Sequence, residues 1–586
     1  MYILGIGCFM HDFSVCLLKD GKIVVAIESE RITRHKHSVP KEIYEQALME
    51  LKEAKKELTG PLVLTLFSPT HVTYRNEAIK KSIDYCLNEV KITLENVNLI
   101  VTDMPGYFLG VLSPYRKKVK VVGHHFAHAC SAYYPSGFQE AAILTIDGIG
   151  DPVGIRQPFS IHTFKEFLNK DLRWETVSFG YGKKNKVEIF KQITGKMGRK
   201  RGAQCENSIG TFYETITCAM GFGFLEAGKT MGLAPYGTSK YAGKFEKYVT
   251  LLPDGEFVIT NEALEELETE IEFNLSKLTS ERERFNYKAD VAYAAQKLTE
   301  RIILHCANFL YESTGCKNIC LAGGVALNGL ANQKILETLP FENIFIQPAT
   351  GDSGVSIGAA FYGWHMLNNG DGRMEFKNSY FGRAYSEQEI EKVLKEYNEK
   401  IRYQKVNNIA EVTAKLIAKG NIIGWFQGSS EIGPRALGNR SILVDPRKSE
   451  MKDILNAKVK HRESFRPFAP AVLLEFSSEY FELPEVPSPF MLLIARVKKE
   501  KQSIIPAVTH VDGTGRVQTV TKEDNGIFYD LIFKFHEATG VPVVLNTSFN
   551  LRGEPIVETP ENALNTFLAT EMHYLVLEKY LIEKVN

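Results

Sequence analysis

The stretch Gly123-His124-His125-Phe126-Ala127-His128-Ala129 is followed by the apolar run Ala141 to Ile146, which leads into Asp147-Gly148-Ile149-Gly150-Asp151. His124 and His128 are four residues apart, so on a helix both imidazoles project from one face. Asp147 stands where the strand formed by the apolar run ends, and the glycines after it let the backbone approach a ligand closely. Two histidines and a carboxylate leave coordination positions open, as a catalytic metal requires. The stretch therefore predicts a metal site beside a phosphate-binding turn.

Two histidines at this spacing also occur on helix surfaces that bind no metal. Here the context favours a site, because a third histidine, His125, and small residues suited to close helix packing lie within the same stretch. A second aspartate, Asp352, again follows a predicted strand, Ile344 to Ile346, and we expect it to be the fourth metal ligand. An HExxH motif is absent from the sequence, so the metalloprotease motif has no support.

The chain has 586 residues, which predicts two to four domains. Lysine plus arginine equals aspartate plus glutamate at 70 each, so no overall field favours nucleic acid or an anionic membrane. The sequence has neither an apolar run long enough to span a membrane nor a signal-peptide pattern at its first residues, and we expect a cytoplasmic protein. The nine cysteines form no CxxC pair, and the closest two, Cys316 and Cys320, are expected to be buried thiols.

The first part of the chain reads as alternating strands and helices. Ile3 to Gly7, Ser14 to Leu18 and Lys22 to Ile27 predict a three-stranded meander, and Leu62 to Phe67 and Leu99 to Thr102 predict further strands. A second unit of strand, glycine turn and helix follows at Asn318 to Ile335, where Gly323-Gly324 offers backbone amides to an anion. The repetition suggests an α/β protein with an actin-like ATPase domain of two lobes.

Two segments are interpreted less directly. The basic region Lys183 to Arg201 looks loop-rich, as an insertion or a lid facing an acceptor. Gly223 to Thr230 matches the P-loop pattern, but Thr211 to Met220 before it looks helical and Met231 to Gly237 after it looks unable to continue a helix. We therefore reject a P-loop.

A polar, glycine-bearing linker around residues 370–385 marks a second domain. That domain carries arginines held in glycine and proline turns, in Gly433 to Ser441, Lys458 to Arg462, Phe465 to Pro470, Val511 to Arg516 and Asn546 to Glu554. Such arginines suit a preorganised pocket for a small phosphate or carboxylate, because the guanidinium fork binds these groups through two hydrogen bonds. Scattered surface basic residues and an RNA-binding groove are the other interpretations.

Taken together, these motifs resemble the O-carbamoyltransferases of natural-product biosynthesis, the group that includes tobramycin, novobiocin and nodulation-factor carbamoyltransferases. The matching segments span nearly the whole chain in order: His11-Asp12, Glu30-Arg31 to Lys36-His37, His124 to His128, Asp147 to Asp151, Lys229 to Gly237, Gly323 to Asn328, Gly433 to Arg440, Phe465 to Pro470 and Asn546 to Asn550. Residues 152–210 match nothing in the family pattern, which leaves acceptor recognition open.

The resemblance implies an actin-like carbamoyl-transfer domain at residues 1–375, similar to tRNA threonylcarbamoyl transferase, and a YrdC-like α/β domain at residues 385–586 that processes carbamoyl phosphate. In the family, carbamoyl phosphate is split to carbamate, carbamate attacks ATP to give carbamoyl-AMP, and the carbamoyl group passes to an alcohol. A closed, solvent-excluding site suits this chemistry because carbamate is short-lived in water.

Site residues follow from the same resemblance. The nucleotide is expected at Lys36, Asp147, Gly148, Ile149, Gly150, Asp151, Gly324 and Asn328, and carbamoyl phosphate at Arg435, Lys460, Arg466, Arg516 and Arg552. A divalent metal, iron(II) in relatives, is expected at His124, His128, Asp147 and Asp352, with a Lewis-acid role. His11, steered by Asp12, is the expected general base on the acceptor hydroxyl. ATP and carbamoyl phosphate are the expected co-substrates, with Mg²⁺ accompanying ATP.

The expected partner is a small-molecule hydroxyl acceptor such as a sugar, aminoglycoside, macrolide or alkaloid, with no nucleic acid and no membrane; a homodimer is left open. The metal identity also stays open, since a set of two histidines and two aspartates accepts iron, manganese or zinc. An actin-like sugar kinase and a tRNA-modification-type enzyme are the alternative functions. ADP as the nucleotide product would favour the kinase, and retention on RNA at moderate salt would favour the RNA enzyme.

Overall fold

The computed structural model describes residues 1–9, 11–53, 68–103, 110–153, 172–198, 204–483 and 486–585. The chain forms two compact units, Met1–Phe376 and Lys377–Asn586. The division lies within the polar stretch around residues 370–385. The predicted strand Leu62 to Phe67 lies outside the described residues.

The first five strands form one sheet in the order β3-β2-β1-β4-β5. Their bounds are Tyr2–Gly7 for β1, Ser14–Lys19 for β2, Lys22–Glu28 for β3, Leu99–Thr102 for β4 and Val119–Val121 for β5. Strands β1, β2 and β3 pair antiparallel, whereas β4 and β5 continue the sheet in parallel. The predicted meander and the strand Leu99–Thr102 are therefore confirmed.

The second sheet repeats this topology in the order β12-β11-β6-β7-β8. Its strands are β6 at Glu140–Ile146, β7 at Arg173–Lys183, β8 at Lys186–Lys196, β11 at Asn318–Ala322 and β12 at Asn343–Ile346; a short hairpin, β9 at Thr250–Leu251 and β10 at Phe257–Val258, lies between β8 and β11 in the chain. Strands β6, β7 and β8 form an antiparallel meander, and β11 and β12 extend it in parallel. Two sheets with the same strand order are the signature of the actin-like fold, and that prediction is confirmed.

The prediction of a loop-rich Lys183 to Arg201 is wrong. Residues 186–196 form β8, which pairs with β7 through a turn at Lys184 and Asn185, and residues 199–201 lie outside the described part of the chain. The segment is charged because β8 is the last strand of its sheet, so alternate side chains face outward while Val187 and Ile193 are buried. The many charged residues of the segment obscured this alternation of buried and exposed side chains in the sequence.

Two helices connect the sheets crosswise. His124–Tyr133, here called the histidine helix, follows β5 of the first sheet but packs against β6 and β11 of the second. Val355–Tyr362 follows β12 of the second sheet but packs against β1 of the first and against the histidine helix. The crossing is close: a Cβ on Gly358 would lie 1.8 Å from the carbonyl oxygen of Ala127. Glycine is therefore required at position 358.

The remaining α-helices of eight or more residues in the described part of this unit are Lys41–Glu53, Pro69–Glu89, Ile209–Ala219, Asn261–Lys277, Glu281–Thr314 and Gly329–Thr338. The prediction that the chain cannot continue as a helix after Thr230 is wrong. The shorter helix Ala227–Leu233 extends past Thr230, and a 3₁₀ turn at Ala234–Tyr236 follows it. The segment before it is the helix Ile209–Ala219 rather than a strand, so the rejection of a P-loop stands.

The second unit is built on an eight-stranded mixed sheet in the order β13-β23-β22-β14-β15-β21-β16-β20, with a three-stranded sheet β17-β18-β19. The strands are β13 Ile401–Lys405, β14 Ile423–Phe426, β15 Arg440–Val444, β16 Ala469–Leu473, β17 Phe481–Glu482, β18 Ile494–Val497, β19 Thr514–Arg516, β20 Gln518–Val520, β21 Val543–Ser548, β22 Tyr574–Leu577 and β23 Tyr580–Lys584. Helices Glu387–Glu396, Ile409–Ala418, Gly526–Thr539 and Pro560–Leu568 complete the α/β unit. Within the described ranges, no helix combines the length and apolar character that crossing a membrane requires.

Candidate functional site

Four buried side chains meet in the first unit, where the crossed helices bring the two sheets together. His124 and His128 come from the histidine helix, Asp147 directly follows β6, and Asp352 begins the 3₁₀ turn before Val355–Tyr362. Their ligand atoms all lie within 4.8 Å of one another. His124 Nε2 is 3.2 Å from Asp147 Oδ2 and 3.6 Å from Asp352 Oδ1, while His128 Nε2 lies 3.5 Å and 3.8 Å from the same two oxygens.

The donor set fits a divalent transition metal. Neither ring nitrogen of His128 has a hydrogen-bond partner among the described residues, although both are buried. A buried polar atom without a partner is costly, and coordination of a cation would satisfy His128 Nε2. Burial lowers the pKa of His128, but Asp147 and Asp352 raise it above its ordinary value, because buried carboxylates require a balancing positive charge. A divalent cation would supply that charge.

His125 makes different contacts from His124 and His128. Its Nδ1 lies 2.8 Å from Ser178 Oγ, and its ring fills the space where a side chain at Gly150 would lie. Burial lowers the pKa of His125 to about 4, so the ring is neutral near pH 7. It therefore supports the turn after β6.

The predicted nucleotide turn is joined to the glycine turn after β11. The amide of Gly324 donates to Asp147 Oδ1 at 2.9 Å, and Asp151 Oδ2 accepts from the amide of His124 at 2.7 Å. Gly323 has φ of 90°, and a Cβ there would lie 2.2 Å from the carbonyl oxygen of Ile146. This glycine, which the sequence placed in the predicted anion-binding turn, is what allows the two turns to meet.

The other predicted nucleotide residues are placed differently. Asn328 caps the helix Gly329–Thr338, and its amide pairs with Gln296 through hydrogen bonds of 3.0 and 3.1 Å. Lys36 is exposed in the turn before His37. Gly148, Ile149 and Gly150 form the turn itself. Contact of any of these residues with a nucleotide remains a prediction.

His11 and Asp12 lie beside the candidate metal-ligand cluster of His124, His128, Asp147 and Asp352. His11 Nδ1 is 2.9 Å from Asp12 Oδ2 and 3.9 Å from Asp352 Oδ2, and the other oxygen of Asp12 is 3.1 Å from His37 Nδ1. Burial lowers the pKa of His11, but Asp352 and Asp12 raise it to about 9. A general base must be unprotonated. The near-neutral pKa that we expect for His11 therefore requires a cation bound to Asp352, which would offset the charge of that aspartate.

The predicted carbamoyl phosphate residues belong to the second unit, and three of them lie in one arginine cluster with a fourth arginine. Burial and repulsion from Arg516 hold the pKa of Arg435 well below its ordinary value. Burial, Arg466 and Arg516 lower the pKa of Arg462 to about 9. Glu463 offsets part of this charge, with Oε2 at 3.0 Å from Arg466 Nε. Guanidinium groups that repel one another are stabilised by a bound anion.

Arg462 was not among the predicted binding residues. Its Nε donates to Asn456 Oδ1 at 2.8 Å and its guanidinium lies over the Phe468 ring, and both Arg466 and Arg516 are close enough to lower its pKa. Its position in the Lys458 to Arg462 motif was the available signal.

Lys460, which is buried, and Arg552, which is exposed, differ in burial from the four half-buried arginines. The Lys460 ammonium donates to Ser548 Oγ at 3.3 Å, to the backbone oxygen of Asn550 at 3.2 Å and to Asn550 Oδ1 at 2.8 Å. It thereby ties the end of β21 to the loop before Arg462. Arg552 is 60% exposed and lies 3.7 Å from Glu463 Oε1. Their contact with carbamoyl phosphate stays a prediction.

A buried carboxylate shapes the loop that carries Arg435. Glu431, 2% exposed, accepts backbone hydrogen bonds at Oε1 from Leu437 at 2.8 Å, Asn439 at 2.8 Å and Arg440 at 3.1 Å. Sequence reasoning missed Glu431, because a lone glutamate before a glycine turn gives no sign of three amide partners.

The duplicated sheets and the buried histidine–aspartate cluster define an actin-like protein with a site suited to a divalent cation. Family models described as "Carbamoyltransferase N-terminus" and "Carbamoyltransferase C-terminus" match residues 2–361 and 414–584. The chain therefore belongs to the carbamoyltransferase family, and the resemblance inferred from its motifs is confirmed.

Relatives agree along most of the chain. It is 35% identical to nodulation protein NolNO of Sinorhizobium fredii over 98% of this chain and 79% of that protein. It is 37% identical to nodulation protein NolO of Bradyrhizobium diazoefficiens over 79% of each. Among solved structures, HypF from T. kodakarensis is 17% identical over 63% of this chain and 48% of that chain, with a TM-score of 0.33, which is too low to add to the fold assignment.

Proposed function

We propose that this carbamoyltransferase makes carbamoyl-AMP from ATP and carbamoyl phosphate and passes the carbamoyl group to a hydroxyl of a small natural product. The observation that carries the proposal is the cluster of half-buried, mutually repelling arginines in the matched C-terminal region. Such a cluster suits a small, highly charged anion better than a neutral sugar or an extended RNA backbone.

In the second unit, Arg435, Arg462, Arg466 and Arg516 bind the phosphate of carbamoyl phosphate and stabilise the negative charge that develops as one water molecule hydrolyses it to carbamate and phosphate. Glu463 keeps Arg466 in place, and Lys460 fixes the adjoining loop. Carbamate then attacks the α-phosphate of ATP, giving carbamoyl-AMP and pyrophosphate.

In the first unit, the turns after β6 and β11 offer backbone amides to the nucleotide. His124, His128, Asp147 and Asp352 hold a divalent cation, for which iron(II) is our first candidate. When bound, the cation supplies Lewis-acid polarisation of an oxygen of the reacting group. His11 Nε2 accepts the proton of the acceptor hydroxyl, while Asp12 holds the ring through Nδ1.

Product analysis tests the proposal. Purified protein is incubated with ATP and carbamoyl phosphate, and the nucleotide products are separated and identified by mass spectrometry. AMP and pyrophosphate that form only with carbamoyl phosphate, and that decrease in Arg466→Ala and His124→Ala, support it. An actin-like sugar kinase would give ADP instead, and ADP formation without dependence on carbamoyl phosphate overturns it.

A further inference from the structure

Asp103 lies behind the metal-ligand cluster. It directly follows β4 of the first sheet and is 2% exposed. Its Oδ2 lies 3.1 Å from Nδ1 of His124, and its Oδ1 accepts a hydrogen bond of 2.9 Å from the amide of Cys8, which follows β1. Both oxygens are thus engaged, and the carboxylate cannot rotate without losing a bond.

This contact fixes which nitrogen of His124 is available to a cation. Asp103 Oδ2 accepts from Nδ1 of His124, so Nδ1 keeps its hydrogen, and Nε2, which lies 3.2 Å from Asp147 Oδ2 and 3.6 Å from Asp352 Oδ1, is the nitrogen left to bind a cation held by these aspartates. His128 differs, since its Nδ1 has no hydrogen-bond partner among the described residues. The two histidines therefore differ at Nδ1, which a carboxylate holds in His124 and no described residue bonds in His128.

A buried arginine also lies near Asp103. The Arg75 side chain is fully buried; burial lowers its pKa, while the Cys8 and Asp103 side chains act in the opposite direction. Asp103 belongs to the first sheet, whereas the histidine helix packs on the second, so the contact also links the two sheets at the site.

We propose that Asp103 is a positioning residue for a divalent transition metal, holding the His124 ring so that Nε2 serves as a ligand and increasing its basicity through the Nδ1 hydrogen bond. The inference rests on the proposed function in one respect only, the assignment of a cation to His124, His128, Asp147 and Asp352.

Metal binding by the full chain tests the inference without any turnover. Co²⁺ affinity is measured by competition with a chromophoric chelator, and the visible absorption of bound Co²⁺ reports the ligand geometry. The variants are Asp103→Ala and Asp103→Asn, with the exposed Asp84→Ala as the matched control and His128→Ala as the ligand variant. Urea unfolding of each metal-free variant reports whether the fold survives.

We expect Asp103→Ala to bind Co²⁺ about 10–100-fold more weakly than the wild type, with an altered absorption spectrum. Asp103→Asn should be intermediate, because its oxygen can replace Oδ2 at His124 or Oδ1 at Cys8, and its NH2 group then faces the other donor. The control should match the wild type.

Two results overturn the inference in distinguishable ways. Wild-type affinity and spectrum in both Asp103 variants, with binding lost in His128→Ala, would remove the role of Asp103 and leave the metal site standing. Equal Co²⁺ binding by the wild type and His128→Ala would overturn the metal assignment of the proposed function, and the role of Asp103 with it.

Discussion

Replacing Glu431 with glutamine tests how the arginine cluster is held in shape. The carboxylate accepts three backbone hydrogen bonds of 2.8, 2.8 and 3.1 Å in the loop that carries Arg435. Charge-assisted hydrogen bonds are roughly twice as strong as neutral ones, and each contributes about 1.5–3 kcal/mol. Glutamine keeps an acceptor oxygen but not the charge, so Glu431→Gln should lose about 2 kcal/mol after allowing for non-additivity.

The functional effect should appear in KM. If displacement of Arg435 weakens the binding of carbamoyl phosphate by about 1.4 kcal/mol, the KM for carbamoyl phosphate rises about tenfold. The assay measures AMP formation against carbamoyl phosphate concentration, alongside the urea midpoint of the same protein. Glu523→Gln is the matched control, because Glu523 is exposed in the same unit. A KM and a midpoint for Glu431→Gln that both equal those of the control would refute the reasoning.

Three further predictions concern packing, anion binding and pH. Gly358→Ala should cost about 1–3 kcal/mol and weaken metal binding, since its Cβ would lie 1.8 Å from the oxygen of Ala127; Gly228→Ala, with nothing within 4 Å, is the control in urea unfolding. Carbamoyl phosphate should raise the Tm of the wild type more than that of Arg462→Ala, and equal shifts in a thermal scan would exclude Arg462 from the anion site. Burial raises the pKa of Glu214 from 4.5 to about 7, so the folded state binds a proton that the unfolded chain releases and stability falls as pH rises through that window. Glu214→Gln should therefore be up to about 3 kcal/mol more stable than the wild type above about pH 7 and equal near pH 4, and a pH-independent difference in urea unfolding would contradict this.

Much of the first unit could be predicted from local sequence. The meander β1–β3 follows from short apolar runs and an Asp20-Gly21 turn, and the duplicated topology follows from a second set of strand, glycine turn and helix. The prediction failed at β8, where charged residues on an outward face were interpreted as a loop. Alternation with a period of two survives on such an edge strand, but overall polarity hides it.

The positions of His124, His128 and Asp147 were also within reach of the sequence. Helical spacing places both histidines on one face, and a carboxylate at a strand end is held close to the next turn. To predict Asp352 as a ligand, one must also assume that the strand before it, β12, lies in the same sheet as β6. The pairing of β12 with β11, and of β11 with β6, confirms this.

The family, the alternation of strands and helices, and the residues placed in a site by their spacing or turn could all be established from the sequence. The tertiary structure was needed to show Asp103 beside His124, and Arg516 close to Arg435 and Arg462. Periodicity and turn chemistry act over a few residues, whereas these contacts form only after separate strands and loops have packed together. Glu431 lies nearer to its partners in sequence, but its three amide bonds depend on how the intervening turn folds, and a lone acidic residue carries no mark of the partner it will meet.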